Sequence, residues 1–293
     1  MGLGAIYALI ALGYTMVYGV LRFINFAHSD VLMLGAFSAF YIAPKLENVL
    51  GTQSVTGCVL VFVAAAAICA CIGMTIERFA YRPLRNRPKL TVLITAIGMS
   101  LLIEYTAQNE QVIGASPKPF PTLLVDHSIH LGSHLIVSSN DLLTVGITAV
   151  LLIAMWLIVQ KSRIGTAMRA VSYNQQAASL MGVPVNRIIS FTFGLGSALA
   201  AIAGILYAIR APGIEPLMGV QPGLRAFIAA VLGGIGNLPG AVLGGMLIGL
   251  LETIAGGIPG LSNYRDAIAF GILILILLVK PAGLLGRSSV EKV

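Results

Sequence analysis

The chain has 293 residues, of which 57% are hydrophobic and only 10% are charged, and its mean hydropathy is +0.93. That much apolar surface exceeds what a water-soluble domain can bury, which excludes a soluble enzyme or a nucleic-acid-binding module despite the net charge of +7. Its uncharged runs of about 18 to 22 residues can cross a hydrocarbon layer of roughly 30 Å at 1.5 Å per residue, and they do not alternate as barrel strands would. The expected fold is all-α: a single polytopic membrane domain over 1–293, with about seven full spans plus a broken or re-entrant helix.

The first apolar run covers 3–21. It has no basic segment ahead of it and no small-residue cleavage site before polar sequence, so it is expected to remain as the first span. Arg22-Phe23-Ile24-Asn25-Phe26-Ala27-His28-Ser29-Asp30 then sets polar groups at the start of the second run, 24–43. A helix break at Asn25, Phe26 and His28 makes these candidate residues of a path through the membrane, and Asp30 suits capping the break as well as proton transfer. The third run, 54–76, holds Cys58, Cys69 and Cys71, which have no metal-ligand spacing with any histidine and are expected as buried free thiols. Arg78, Arg82, Arg85, Arg87 and Lys89 share the short loop before the fourth run, 90–108.

Residues 109–140 form a long polar loop whose one basic residue is Lys118. His127, His130 and His134 lie close together there, but no cysteine or carboxylate pair completes a zinc site, so a solvated loop without metal is expected. The fifth run, 141–159, leads to a second basic loop, 161–188, with Lys161, Arg163, Arg169 and Arg187; Lys280, Arg287 and Lys292 mark the tail. The positive-inside rule puts these three basic segments, and with them the C-terminus, in the cytoplasm, and 109–140 outside. Runs 189–209 and 264–279 then cross outward and back, so parity requires the stretch 225–257 to enter and leave from one side. Its halves, 225–235 and 241–257, flank Gly236-Asn237-Leu238-Pro239-Gly240. Eleven helical residues reach only about 16 Å. Irregular backbone at membrane depth is expected here, with Gly234, Gly236 and Asn237 as further path candidates. A short similarity between Asn25–Gly35 and Asn237–Gly245 suits an internal duplication. The stripes Gly196, Ala200, Gly204, Ala208 and Gly236, Gly240, Gly244 specify close helix packing.

Within the second basic loop, Ser172 and Gln175 form a capping-box signature, Gly182 can take the left-handed closing position and Pro184 stops the helix, which predicts a helix over 173–181. Asn174 lies in its first turn, and Tyr173, Ala177, Leu180 and Met181 share one face. That face either rests on the membrane surface or docks a cytoplasmic partner. Neither a phosphate-binding GxxxxGK[ST] motif nor a nucleophile–base pair is present, so no catalytic residue and no bound cofactor are expected. Gly233-Gly234-Ile235-Gly236 has no preceding strand and is not a nucleotide loop. Glu104, Glu252 and Asp266 are the carboxylates an ion-coupled carrier would use, and interfacial solvation is the favoured reading of them, Glu104 and Asp266 lying near span ends.

Residues 5–19 (AIYALIALGYTMVYG), Ile24-Asn25-Phe26-Ala27-His28, Glu77-Arg78 with Tyr81-Arg82-Pro83-Leu84-Arg85, Arg163-Ile164-Gly165, Ala177 to Gly182, residues 229–237 (AAVLGGIGN) and Lys280-Pro281-Ala282-Gly283 carry a resemblance. Together they are similar to the LivH-type permease of branched-chain amino acid ABC importers, over nearly the whole chain. The resemblance implies a multi-pass subunit of the bacterial inner membrane that moves leucine, isoleucine and valine by alternating access. It also implies a LivM-like second permease, two cytoplasmic subunits that use ATP, and an extracytoplasmic amino-acid-binding protein. Tyr173, Asn174, Ala177, Leu180, Met181 and Gly182 would then belong to the coupling helix. One departure is that the family commonly carries a short segment before its first apolar run, whereas this chain begins almost within it. The alternatives are a related ABC permease for a solute such as urea or a sugar, and an ion-coupled secondary carrier.

Overall fold

The computed structural model describes residues 1–50, 54–85, 87–123, 126, 128–131, 135–260 and 262–286. His127, His134, Arg287 and Lys292, named above, lie outside the described residues. In lipid the backbone must satisfy its own hydrogen bonds, and the apolar runs do so as helices. These are α1 (Gly2–Leu21), α2 (His28–Leu50), α3 (Val55–Ile76), α4 (Lys89–Gln108), α5 (Ser139–Lys161), α6 (Arg163–Tyr173), α7 (Gln175–Leu180), α8 (Val185–Arg210), α9 (Val220–Gly233), α10 (Leu238–Gly257) and α11 (Arg265–Val279). Seven helical segments among the described residues are long and apolar enough to cross a membrane. The polar loop is more ordered than a plain solvated loop: β2 (Ser128–Leu131) and β3 (Leu135–Ser138) form a hairpin, and β1 (Lys118–Pro119) pairs antiparallel with β4 (Gly213–Ile214) ahead of α9.

The bundle has two distinct ends. At the loop end, Gly2 sits against Asp141 and Arg210, which pair with each other. At the basic end, Arg85 binds Asn186 and Glu77, and Ser172 meets Gly19. Helix α1 runs through the middle and is almost wholly buried, with α8 and α10 against it, whereas α4, α5 and α11 present exposed apolar side chains such as Ile94, Ile153 and Leu278 outward. Outward apolar faces suit lipid, where there is no water to expel.

Small residues set the approach of the inner helices. A Cβ at Gly204 would collide with the Leu32 carbonyl, one at Gly35 with the Ala201 backbone, and one at Gly244 with the Ala229 carbonyl. The predicted stripe on α8 therefore packs as expected. The second stripe holds for Gly240 and Gly244, but Gly236 lies in the turn before α10. Cys58 and Cys69 are buried free thiols; Cys71, expected buried, is exposed because it falls on the outward face of α3.

The stretch 225–257 does not turn at membrane depth as the sequence reading expects; it reaches the basic end and returns across the full bundle. Its legs are α9 and α10, and the turn between them, 234–237, lies at the basic end: Leu284 and Leu285 donate to the carbonyls of Leu232 and Gly233 at 2.8 and 3.0 Å, and Gly236 faces Gly19. Helix α10, at 20 residues, covers about 30 Å alone, so the irregular backbone at depth is not 236–240. It is instead 215–219, which carries the chain from β4 into the bundle before α9 begins.

Because α2 and α8 touch through backbone at Gly204, Gly204→Val should lower the unfolding midpoint in detergent by an amount equivalent to about 1–3 kcal/mol. Gly98→Ala in α4, where nothing lies within 4 Å, should leave it unchanged or raise it slightly.

Candidate functional site

Helix α2 starts inside the bundle, with His28 buried, and α9 starts against it with one face covered, Pro222 and Gly223 being buried while Val220 and Leu224 are exposed. After α1 ends at Leu21, the chain doubles back along it, so that His28 at the start of α2 packs beside Gly13 and Tyr14, with ring centroids of Tyr14 and His28 4.6 Å apart. That return spans about 12 Å of α1. The first turn of α9 then meets the first turn of α2, since Gly219 faces the Ser29 carbonyl and Gly223 the Ser29 side chain. The positive ends of two helix dipoles thus lie side by side, although His28, Val220 and Gly223 donate their N–H groups to Asn25, Leu217 and Gly219 and Pro222 has none.

Beside this junction lies a cavity of about 160 Å³, lined by Tyr14, Ile24, Phe26, Ser29, Val220, Leu224 and Phe227, with Ser100 and Glu104 contributed by α4. Ser100 donates to Asp30, whose carboxyl also hydrogen-bonds that of Glu104. A larger hollow of about 430 Å³ between α1, α5 and α10 is lined by side chains such as Leu12, Trp156 and Val242, with no charged group and almost no polar surface. It cannot recognise a charged solute, so the smaller cavity is the candidate site.

Charge pairing singles out the same place. Among the described residues, three acids are almost fully buried: Asp30, Glu77 and Glu252. Glu77 is paired with Arg85 and accepts from Ser190. Glu252 accepts from Arg225 at 2.6 Å and from Tyr7 at 2.7 Å, and Arg225 also reaches Asp266 at 2.8 Å and Gln221 at 3.1 Å. Glu252 and Asp266 are thus ion-paired rather than simply solvated, and Arg225, hidden within an apolar stretch, had drawn no notice in the sequence. Asp30 has no arginine, lysine or histidine in a salt bridge among the described residues; its neighbour is Glu104.

The sequence-selected path residues separate into two groups. Phe26 lines the cavity. Asn25 is held just below it, accepting from Tyr81 Oη at 2.6 Å. His28 fills the space above Gly13, its Nε2 without a hydrogen-bond partner. Gly234, Gly236 and Asn237 lie at the basic end, where Gly234 packs on Gly286 and Asn237 caps α10 while donating to Leu285 at 2.7 Å. Asn25 and Asn237 occupy unlike surroundings, so their local similarity does not extend to equivalent roles.

The predicted coupling helix also shifts. Tyr173 closes α6, and α7 spans Gln175–Leu180 with Asn174 as its cap, accepting from Ala177 N at 3.0 Å. Ser172 does not cap because its hydroxyl donates to Gly19 instead. Gly182 does adopt the left-handed conformation, with φ 80°. Tyr173, Leu180 and Met181 are 87%, 88% and 84% exposed, while Ala178 points into the body of the protein. Among the described residues no cluster of His, Cys, Asp and Glu could hold a metal.

A helical bundle with apolar outward faces and a small interior cavity at broken helices is a multi-pass membrane protein of permease architecture. The sequence profile described as "Branched-chain amino acid transport system / permease component" matches residues 1–277. The chain is 42% identical to the high-affinity branched-chain amino acid transport system permease protein BraD of Pseudomonas aeruginosa, covering 99% of this chain and 94% of that one. It is 41% identical, with the same coverage, to the LivH permease of Escherichia coli K12, and 27% identical to a probable LivH of Methanocaldococcus jannaschii over 82% of this chain and 74% of that protein. The chain belongs to the branched-chain amino acid transport permease family.

The buried Arg225–Glu252 pair provides a direct stability test. Arg225→Met strands a buried carboxylate and should cost about 3–5 kcal/mol, whereas adding Glu252→Gln should restore most of it. Thermal unfolding in detergent reads both; a double variant no more stable than the single one would refute this pairing.

Proposed function

We propose that this chain is a permease subunit of an ATP-driven importer for branched-chain amino acids, and that the cavity at the α2–α9 junction is a station on its path. The observation that carries this reading is the cavity's composition. Like charges as close as Asp30 and Glu104 repel unless a proton or a cation stands between them, and an ammonium group is such a cation. The two helix N-termini favour a carboxylate, and Phe26, Leu224 and Phe227 offer an apolar wall for a branched side chain. The names of the relatives, high-affinity branched-chain amino acid permeases, support the same substrate class.

The energy would come from cytoplasmic ATP-binding partners. The exposed stretch Tyr173 to Gly182, which contains α7, is the surface we assign to docking them, and a LivM-like second permease and an extracytoplasmic binding protein complete the assembly. In this reading the basic end is cytoplasmic. A cysteine at Tyr173 should then react only with reagent on the cytoplasmic side, and one at Gln111 only from outside; the reverse pattern would invert the topology.

The acid pair would also serve an ion-coupled carrier working alone, so the function test separates the two. In vesicles holding the complete assembly, leucine uptake should require ATP hydrolysis. Glu104→Gln should reduce it about tenfold to a hundredfold, the value of one charge-assisted hydrogen bond, while the binding protein keeps its leucine affinity. Uptake by this chain alone, driven by an ion gradient, would establish the carrier instead.

A further inference from the structure

The helix break beside the cavity is fastened at both ends, and each fastening has a different neighbour. On one side, the last carbonyls of α1, which have no partner within the helix, are met by the segment that precedes and opens α7. The Ser172 hydroxyl donates to Gly19 O, and Gln175 Nε2 reaches Val20 O at 3.5 Å. Arg22 follows at once, the one non-glycine residue with positive φ (56°) among the described residues, and its guanidinium donates to Ser172 O at 3.3 Å. On the other side, Asn25 is held by Tyr81 in the π-turn Glu77–Tyr81, which the buried pair Glu77–Arg85 and the contacts with Ser190 and Asn186 fix to α8. Phe23 and Phe193 pack on the Tyr81 ring at 5.3 and 5.5 Å between centroids.

We propose that Ser172 and Arg22 are a hook through which displacement of the exposed α7 segment is passed to residues 22–27, with the Tyr81–Asn25 bond as the fixed point against which that stretch bends. The strained left-handed Arg22 joins a straight helix to the extended return, so a pull on the last turn of α1 changes the direction in which Phe26 and Ser29 meet the cavity. Ser172 and Arg22 touch no solute; they are positioning residues. This inference rests on the importer reading above.

The test uses the complete assembly in vesicles, comparing wild type with Ser172→Ala, Arg22→Ala and Ser172→Thr. In the two alanine variants, leucine moved per ATP hydrolysed should fall at least fivefold while ATP hydrolysis itself stays within about twofold, and Ser172→Thr, which keeps the hydroxyl, should restore the ratio. A merely structural role would lower assembly, or uptake and hydrolysis in proportion. An unchanged ratio in both alanine variants, or a proportional loss, overturns the hook. A second readout does not depend on the substrate: Phe26→Cys in the cavity wall should change its reactivity when ATP is added, and the change should vanish when Ser172→Ala is combined with it. Full ATP-dependent reactivity in that combination also overturns the hook. Should wild type move no branched-chain amino acid, the substrate reading fails while the cysteine readout still decides the hook.

Discussion

Every polar group of a backbone in lipid has to be bonded within the protein, and this constraint governs where the chain is permitted to stop being helical. Helix α2 nevertheless begins in the interior at His28, and α9 begins against it at Val220. His28, Ser29 and Asp30 are buried, whereas the start of α9 is covered on one face only, with Gly219 and Gly223 against Ser29 and with Leu217 and Val220 exposed. The return is held to the π-turn through Asn25 and Phe23, with Arg22 itself exposed. Glycine makes the cover close enough, since Gly219 and Gly223 let the start of α9 settle directly on Ser29. The interior break is thus a packed joint, and the cavity is the small volume the joint leaves unfilled.

Charge is distributed with the same economy of position. Arg85 answers Glu77 near the basic end, and Arg225 answers Glu252 and Asp266 across α9, α10 and α11. These pairs tie helices together where a lone charge would be too costly to bury. Asp30 differs because its neighbour is a second carboxyl, that of Glu104, and a hydrogen bond between the two requires a proton on one of them.

Much of the architecture was legible in the sequence because apolar length and basic-loop position are strong signals: the spans, the break at Asn25–His28 and the need for a segment over 225–257 that enters and leaves from one side all follow from them. What was not legible depends on tertiary choice. Pro239 and Gly236 mark a turn wherever it falls, and only the 20-residue reach of α10 shows that the turn lies at the bundle end. Ser172 has the signature of a cap, but the free carbonyl of Gly19 competes for its hydroxyl and Asn174 caps instead. Glu104 sits near a span end in the sequence, and its meeting with Asp30 follows from how α4 leans on α2. Arg225 was hidden because one charge scarcely lowers the hydropathy of its segment.

The cavity's lack of a cationic side chain bears on how a permease can release what it admits. Arg225 follows Leu224, a wall residue, yet its guanidinium is turned away and engaged by Glu252, Asp266, Gln221 and Tyr7. A free arginine would hold a carboxylate through two charged hydrogen bonds. Two helix ends offer only about half a charge each. On the proposal above, such contacts would orient a zwitterion without retaining it, and they would weaken together as α2 and α9 moved apart. Affinity in the cavity would then be tied to the geometry of the joint, which is the property alternating access requires: one rearrangement would both open the path and loosen the solute.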